Sequence, residues 1–507
     1  MEQFRTYVYA IQKENFHVIN TLSEQLKEYF ADASEFVLSG GRMDSLFKPI
    51  ENLILMMDMV PPETMNKLHE MAKLMVSTGL EKECYNVYSS CRREWLEGLV
   101  KQLLGLENLT IEDVNKISWN DLKHQIRSWI KASKVALKIL FPTERRLCDL
   151  IFFGFSTVAN LSFTEVCWGC TIHLLNFSEA AANRSRSPDL LFTILDMFET
   201  LRDLIPEFES LFCDQFSVSL RNEANTTLKK LAKAIVEIFM ELENVIRQDL
   251  AKTAVPDGGI HPLIRYTMKY LCLICDYRPT LEQVFEDHGH LLREYPKLDD
   301  SVPSSSSLSL HMDRIMEVLE SNLIAKSKIY KDSALGYVFL MNSNEYILQK
   351  TKNNDIRKLL SDDVIQKHKA NVLYNYDQYR RSSWQQVMRF LKWDNNGSVS
   401  PKMVVKSMKK KLKSFNILFE EICRVQSLWF ILDEHLKEDI ITNIKKKLLP
   451  MYGNFIGMFQ KSVEELGKHA DKYIMYGMED VEARLDDLFR GSSASTDRCS
   501  KVFWKTI

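Results

Sequence analysis

The chain has 507 residues and a formal net charge of −2, with 45% hydrophobic and 26% charged residues. This composition excludes a disordered or membrane-spanning chain, and near-neutrality excludes recruitment of nucleic acid or acidic membrane by a global field. Only 17 glycines and 13 prolines interrupt it; glycine is about half its usual ~7%, which favours long helices over β-rich or Gly-loop enzyme folds.

Almost every segment reads helical, predicting an all-α chain. Residues 1–60 suggest two or three helices, with a break at Gly40-Gly41 and a stop at Pro61-Pro62. Several short helices follow to Phe141, with Thr110 and Ser118 as candidate N-caps. Pro142-Thr143-Glu144 opens the next helix. Residues 150–164 are the most apolar run, but glycine, polar residues and then Glu165 interrupt it, so it reads as a buried core helix and not a membrane span.

Residues 187–212 give the clearest pattern. Ser187 is placed to cap, Pro188 to take the first helical position and Asp189 to complement the dipole. Apolar residues then recur at helical spacing from Leu190 to Phe212, and Pro206 is expected to end or kink the helix near Ile205. Residues 222–252 form a long helix, VPDGG at 255–259 is a turn, and His261-Pro262 starts another helix with His261 as a capping or packing residue. Residues 295–310 read as a serine-rich loop, with helices resuming from 311 to 352. A polar break at 394–400 separates the last quarter; its glycine falls at the wrong position for a calcium loop.

The best candidate site follows that break. Ser400 is expected to cap a helix begun by Pro401. Lys402, Lys406, Lys409, Lys410 and Lys413 fall on one face, with Lys411 off it, while Val404, Val405, Met408, Leu412 and Phe415 form the core stripe. A second run, Lys445, Lys446 and Lys447, adds to it. Residues 402–447 hold eleven Lys/Arg against six Asp/Glu. Such a face either attracts anionic lipid headgroups, at about 1 kcal/mol per basic residue, or is a solvated surface.

Other chemistries are unsupported. Cys167-x-x-Cys170 and Cys272-x-x-Cys275 lie about a hundred residues apart, and His288 and His290 are wrongly spaced to complete either pair, so no metal site is expected. Reduced thiols in a cytosolic protein are the reading. The basic face lacks interleaved aromatics for nucleic acid. No Walker A, G-x-S-x-G, G-x-G-x-x-G or H-E-x-x-H motif occurs, so neither an enzyme nor a cofactor is expected. Residues 1–10 do not read as a signal peptide, Glu2 excludes myristoylation, and the last four residues exclude prenylation.

Eight stretches together resemble the Exo-seventy subunit of the exocyst, most closely its plant branch. They are EKECYNVY at 81–88, LKHQIRSWI at 122–130, FPTERRLC at 141–148, residues 187–212, HPLIRYTMKY at 261–270, LGYVFLMN at 335–342, KSFN at 413–416 and YIMYGMED at 473–480. The resemblance covers roughly residues 65–490. It implies an elongated rod of stacked antiparallel helical bundles, divided here as 1–60, 61–255, 256–393 and 394–490, with a tail at 491–507.

The family's assembly region is longer than residues 1–60, and its usual end lies near Phe489. The resemblance implies a cytoplasmic, peripherally membrane-associated subunit that tethers secretory vesicles to the plasma membrane. Its partners would be other exocyst subunits, an anionic phospholipid surface, and a small GTPase or pathogen effector. Relatives bind phosphoinositides through basic residues of the C-terminal bundle, which adds Lys472 to the candidates; this chain has Met475 where lipid-binding relatives carry a second basic residue. The alternative is a diverged helical interaction module outside the exocyst, for example in plant immunity.

Overall fold

The computed structural model describes residues 1–12, 61–104, 114, 116–184, 186–249, 254–287, 307–352, 354–392, 400–466, 470 and 473–491. The expectations for residues 13–60, Thr110, 295–306, 394–399, Lys472 and 492–507 lie outside the described residues. All regular structure among the described residues is helical, with no strand. The chain packs as two compact units, Met1–Glu241 and Leu242–Ile507.

In the first unit, residues 2–12 are helical and bury Phe4, Val8 and Ile11. The numbered helices are α1 (Pro62–Ser77), α2 (Glu81–Leu104), α3 (Trp119–Val135), α4 (Phe141–Ile151), α5 (Ser156–Ala182), α6 (Leu191–Leu211) and α7 (Val218–Gln248), the last continuing into the second unit. Ser118 caps α3 as expected, its hydroxyl accepting the Asp121 N–H at 3.3 Å. Buried Leu122, Ile126, Trp129 and Ile130 then share one face of α3, and the Trp129 indole donates to the Leu174 carbonyl at 2.7 Å.

Pro142 lies in the first turn of α4 as expected, but no break separates α4 from α3. One π-helical turn, Ala136–Leu140, joins α3 directly to α4, and the Phe141 N–H donates to Ala136. The wider turn sits where Pro142 has no N–H to offer.

Residues 150–164 are not one buried helix. After Ile151 the chain turns through Gly154, whose φ of 86° suits glycine, before α5 begins. Leu150 and Phe153 are exposed there. No described helix is long and apolar enough to cross a membrane.

The 187–212 stripe is buried at Leu190, Leu191, Ile194, Met197, Phe198, Leu201, Leu204, Phe208 and Phe212. Each such side chain is worth roughly 1.5–3 kcal/mol of burial. Two details differ from expectation. Ser187 makes no side-chain cap, because the chain enters through a 3₁₀ turn, Pro188–Leu190. Pro206 sits inside α6 without ending it; it is on the exposed side, although its missing N–H leaves the Arg202 carbonyl without its helical donor.

A buried polar cluster links α2 to α4. Arg92 and Glu144, both 1% exposed, pair at 2.5 Å. The Tyr88 hydroxyl donates to the same carboxylate at 2.7 Å, and the Cys148 thiol faces that hydroxyl at 3.7 Å.

In the second unit the helices are α8 (Pro262–Asp276), α9 (Arg278–Asp287), α10 (Ser307–Ser327), α11 (Ser333–Thr351), α12 (Asp362–Phe390), α13 (Pro401–Gln426), α14 (Glu434–Glu464) and α15 (Met478–Asp486), with one helical turn at Asn354–Arg357. The 255–259 turn forms with Gly258 at φ 73°, and His261 Nδ1 accepts the Leu263 N–H to cap α8. Helix α10 begins four residues earlier than expected. Leu308 is buried and the Ser309 hydroxyl reaches the Leu359 carbonyl, so tertiary contacts override the local polarity of residues 307–310.

Buried Asn342 on α11 ties two connections together. Its amide donates to Gly258 and Phe430 carbonyls at 2.8 and 2.7 Å and accepts the Leu432 N–H at 2.8 Å. These bonds place the turn before α8 and the α13–α14 connection against one helix.

Candidate lipid-docking surface

Helix α13 carries most of the candidate residues. Pro401 takes its first position, but Ser400 does not cap with its side chain. The Ser400 carbonyl accepts from the Met403 and Val404 N–H groups instead. The core stripe lands as expected, with Val405, Met408, Leu412 and Phe415 buried and Val404 partly so. Phe415 stacks on Phe419 of the same helix and on Tyr452 of α14, with ring centroids 5.3 and 5.1 Å apart.

The opposite face is basic. Lys402, Lys406, Lys410 and Lys413 are exposed, and none forms an ion pair among the described residues. Lys409 is partly buried, its ammonium 3.4 Å from the Tyr473 ring centroid, a contact that favours the cation. Lys411 lies off the face, donating to the Lys392 carbonyl at 2.6 Å.

Sequence reading missed two apolar members of this stripe. Met403 and Ile417 are 60% and 63% exposed. At helical spacing they bracket Lys406, Lys410 and Lys413 on one face. Apolar side chains beside lysines on an exposed helical face suit an interfacial surface. The signal was present in the sequence at positions 403 and 417, but only burial shows which apolar residues leave the core.

The three lysines of α14 separate. Lys445 is only 19% exposed and donates to Glu482 and Asp486 of α15 at 3.0 and 2.8 Å. Partial burial pulls its pKa down, but those two carboxylates raise it overall. Lys447 is exposed and lies close enough to Asp377 of α12 to help hold that carboxyl low, behind the larger effect of the hydrogen bond from Arg380. Lys446 is exposed.

Antiparallel α13 and α14 are level where Phe415 meets Tyr452, which puts Lys446 level with Glu421. That is about 12 Å along the axis from Lys413, at 1.5 Å per residue. The structure therefore gathers the candidates of α13 and sets those of α14 apart. Met475, beside Tyr473, is 65% exposed.

The remaining motifs carry no assembled site. Cys167 and Cys170 are buried in α5, and Cys272 and Cys275 are half-buried on α8. Burial pushes the Cys170 thiol up to about 12 and the Cys275 thiol up to about 11, so these thiols stay protonated and behave as small hydrophobes.

The family model for the C-terminal part of the Exo70 exocyst complex subunit matches residues 127–487. The chain belongs to the Exo70 exocyst subunit family. Among relatives, the Arabidopsis thaliana exocyst complex component EXO70B1 is 53% identical over 448 residues, 88% of this chain and 70% of that protein. EXO70B2 of the same plant is 40% identical over 449 residues, 88% of this chain and 72% of its own length. A solved Saccharomyces cerevisiae Exo70 structure aligns with 96% of this chain and 97% of its own, at 14% identity and a TM-score of 0.46. Of the eight stretches that resembled the Exo70 family, 81–88 precedes the matched range, 122–130 straddles its start and the rest fall within it.

Proposed function

We propose that this Exo70 chain is an exocyst subunit that tethers secretory vesicles to the plasma membrane, and that it docks on anionic lipid, phosphoinositide included, through the exposed face of α13. The carrying observation is the run of Lys402, Lys406, Lys410 and Lys413, solvent-facing and without ion-pair partners among the described residues, in a chain of net charge −2. At about 1 kcal/mol per basic residue near an anionic surface, four such lysines supply about 4 kcal/mol. That is enough for reversible docking and too little for a permanent anchor.

Lys409 and Tyr473 hold the middle of the face in place, and Met403 and Ile417 add apolar contact at its ends. Lys445 takes no part, because Glu482 and Asp486 already neutralise it. Protein contacts then complete the tether: the other exocyst subunits and a small GTPase on the remaining faces. Membership of the family supports the tethering role, and tethering asks no bond-making chemistry of the chain.

The test is vesicle co-sedimentation with and without a phosphoinositide at two salt concentrations. Wild type is compared with the Lys402/Lys406/Lys410/Lys413→Ala variant. Phosphoinositide-dependent binding that weakens with salt and with the substitutions is expected. Equal sedimentation of both proteins, or none by either, would make the face a solvated surface and remove the lipid part of the proposal.

A further inference from the structure

Away from the lysine face, a cavity of about 520 Å³ opens among α10, α11 and α12. This is within the range of small-molecule sites. Its walls are aliphatic and aromatic, including Leu323, Leu340, Tyr330 and Tyr337. The Tyr330 hydroxyl both donates to the Val255 carbonyl and accepts the Val255 N–H, so this residue offers the cavity a ring and little else.

The deepest polar groups on the lining are His368, Asn344 and Asn375, at 2%, 5% and 5% exposed. Asn344 fixes the state of the histidine. Its Nδ2 donates to the Leu340 carbonyl at 2.7 Å, so its Oδ1 is the atom that faces His368 Nδ1, also at 2.7 Å. An oxygen there requires the proton on Nδ1, which leaves Nε2 as a lone-pair acceptor. Burial lowers the His368 pKa to about 4, so the ring stays neutral. Nε2 has no partner among the described residues and is not sealed from solvent.

Asn375 donates through Nδ2 to the Asn371 carbonyl, which leaves its Oδ1 as a second acceptor two turns along the same face. Glu320, the only carboxylate on the lining among the described residues, is already engaged by Lys367 and Asn371, each at 2.6 Å. A cation would find no spare counter-charge. The lysine on the lining, Lys328, is exposed, so an anion would meet acceptors and no cation at depth.

We propose that this cavity binds a neutral aromatic molecule whose N–H donates to His368 Nε2 while its ring packs between the tyrosine and leucine walls. The complement of an acceptor-lined apolar pocket is a donor-bearing apolar ligand. A ligand lacking the donor leaves the buried acceptor unpaired, which costs binding.

The probe pair is indole and 1-methylindole, nearly equal in shape and differing in the N–H, titrated into the full chain and followed by ligand-observed NMR and calorimetry. Indole is expected to bind, with 1-methylindole about tenfold weaker. Ile324→Trp, a substitution at a partly exposed lining position, is expected to plug the cavity and abolish binding. His368→Asn keeps a donor at the Nδ1 position for Asn344, removes the Nε2 acceptor, and is expected to erase the difference between the two probes. Circular dichroism and the melting temperature confirm that each variant is folded. No indole binding by wild type, equal affinity for the two probes, or indole affinity unchanged in both variants would each overturn the proposal.

Discussion

Lys410 and Lys445 are both lysines of the same basic sequence region, yet under the proposed docking their environments give them opposite roles. Lys410→Ala removes an exposed charge without an ion-pair partner among the described residues. At about 1 kcal/mol per basic residue, with 1.4 kcal/mol per tenfold, partitioning onto anionic vesicles should fall about fivefold. Lys445 donates to Glu482 and Asp486 and lies more than about 12 Å along the bundle from Lys413, beyond a Debye length at 0.1 M salt. Lys445→Ala should therefore change partitioning by less than about twofold. Both carboxylates are more than half exposed, so its stability cost should stay within about 1 kcal/mol. Co-sedimentation over a lipid concentration series, with circular dichroism to confirm folding, measures both effects. Equal losses for the two variants would refute the confinement of the docking face to α13.

Other outcomes follow from the interior. Glu144→Ala should destabilise the first unit by about 3–5 kcal/mol, because Arg92 becomes a buried charge without its partner; paired replacement as Arg92→Met with Glu144→Leu should recover much of that in urea unfolding. His368 and His261 both have pKa values lowered to about 4, chiefly by burial, so the unfolded chain binds protons more readily below its ordinary ~6.5. Their contribution should be intact above pH 6.5 and lost as pH falls toward 4, by about 2 kcal/mol each at pH 5, read as a shift in unfolding midpoint that His368→Gln reduces. Gly457→Ala should stabilise α14 by about 0.5–1 kcal/mol, since an added Cβ meets nothing within 4 Å. Gly336→Ala should lower the melting temperature, since its Cβ would meet the Ser327 carbonyl oxygen at 2.7 Å.

Helical periodicity exposed much of the fold, because a core stripe is a local pattern. The 187–212 stripe and the α13 stripe bury most of the residues their spacing selects, with Ile205, Leu211 and Val404 only partly covered. Details that depend on backbone angles or side-chain rotamers were less legible. Ser187 and Ser400 have the right residue type for a cap but do not bond through their hydroxyls, and Pro206 is tolerated on the exposed side of α6 although its missing N–H leaves the Arg202 carbonyl without its helical donor.

The site was legible on one helix and obscure between helices. Lys402 through Lys413 could be grouped from i, i+4 spacing alone. The neutralisation of Lys445 by residues 37 and 41 positions later and the seat of Lys409 on Tyr473 are tertiary facts without a local signal. Asn342 and His368 were invisible for the same reason: single polar residues on apolar helical faces, with partners set by the packing of distant segments.

The most direct test of the central claim is affinity purification of the tagged full chain from cells of its source, with mass spectrometry of what accompanies it. Membership of the Exo70 family and the tethering role predict recovery of the other exocyst subunits in proportion to the bait. Recovery of the intact chain without any of them would contradict the account.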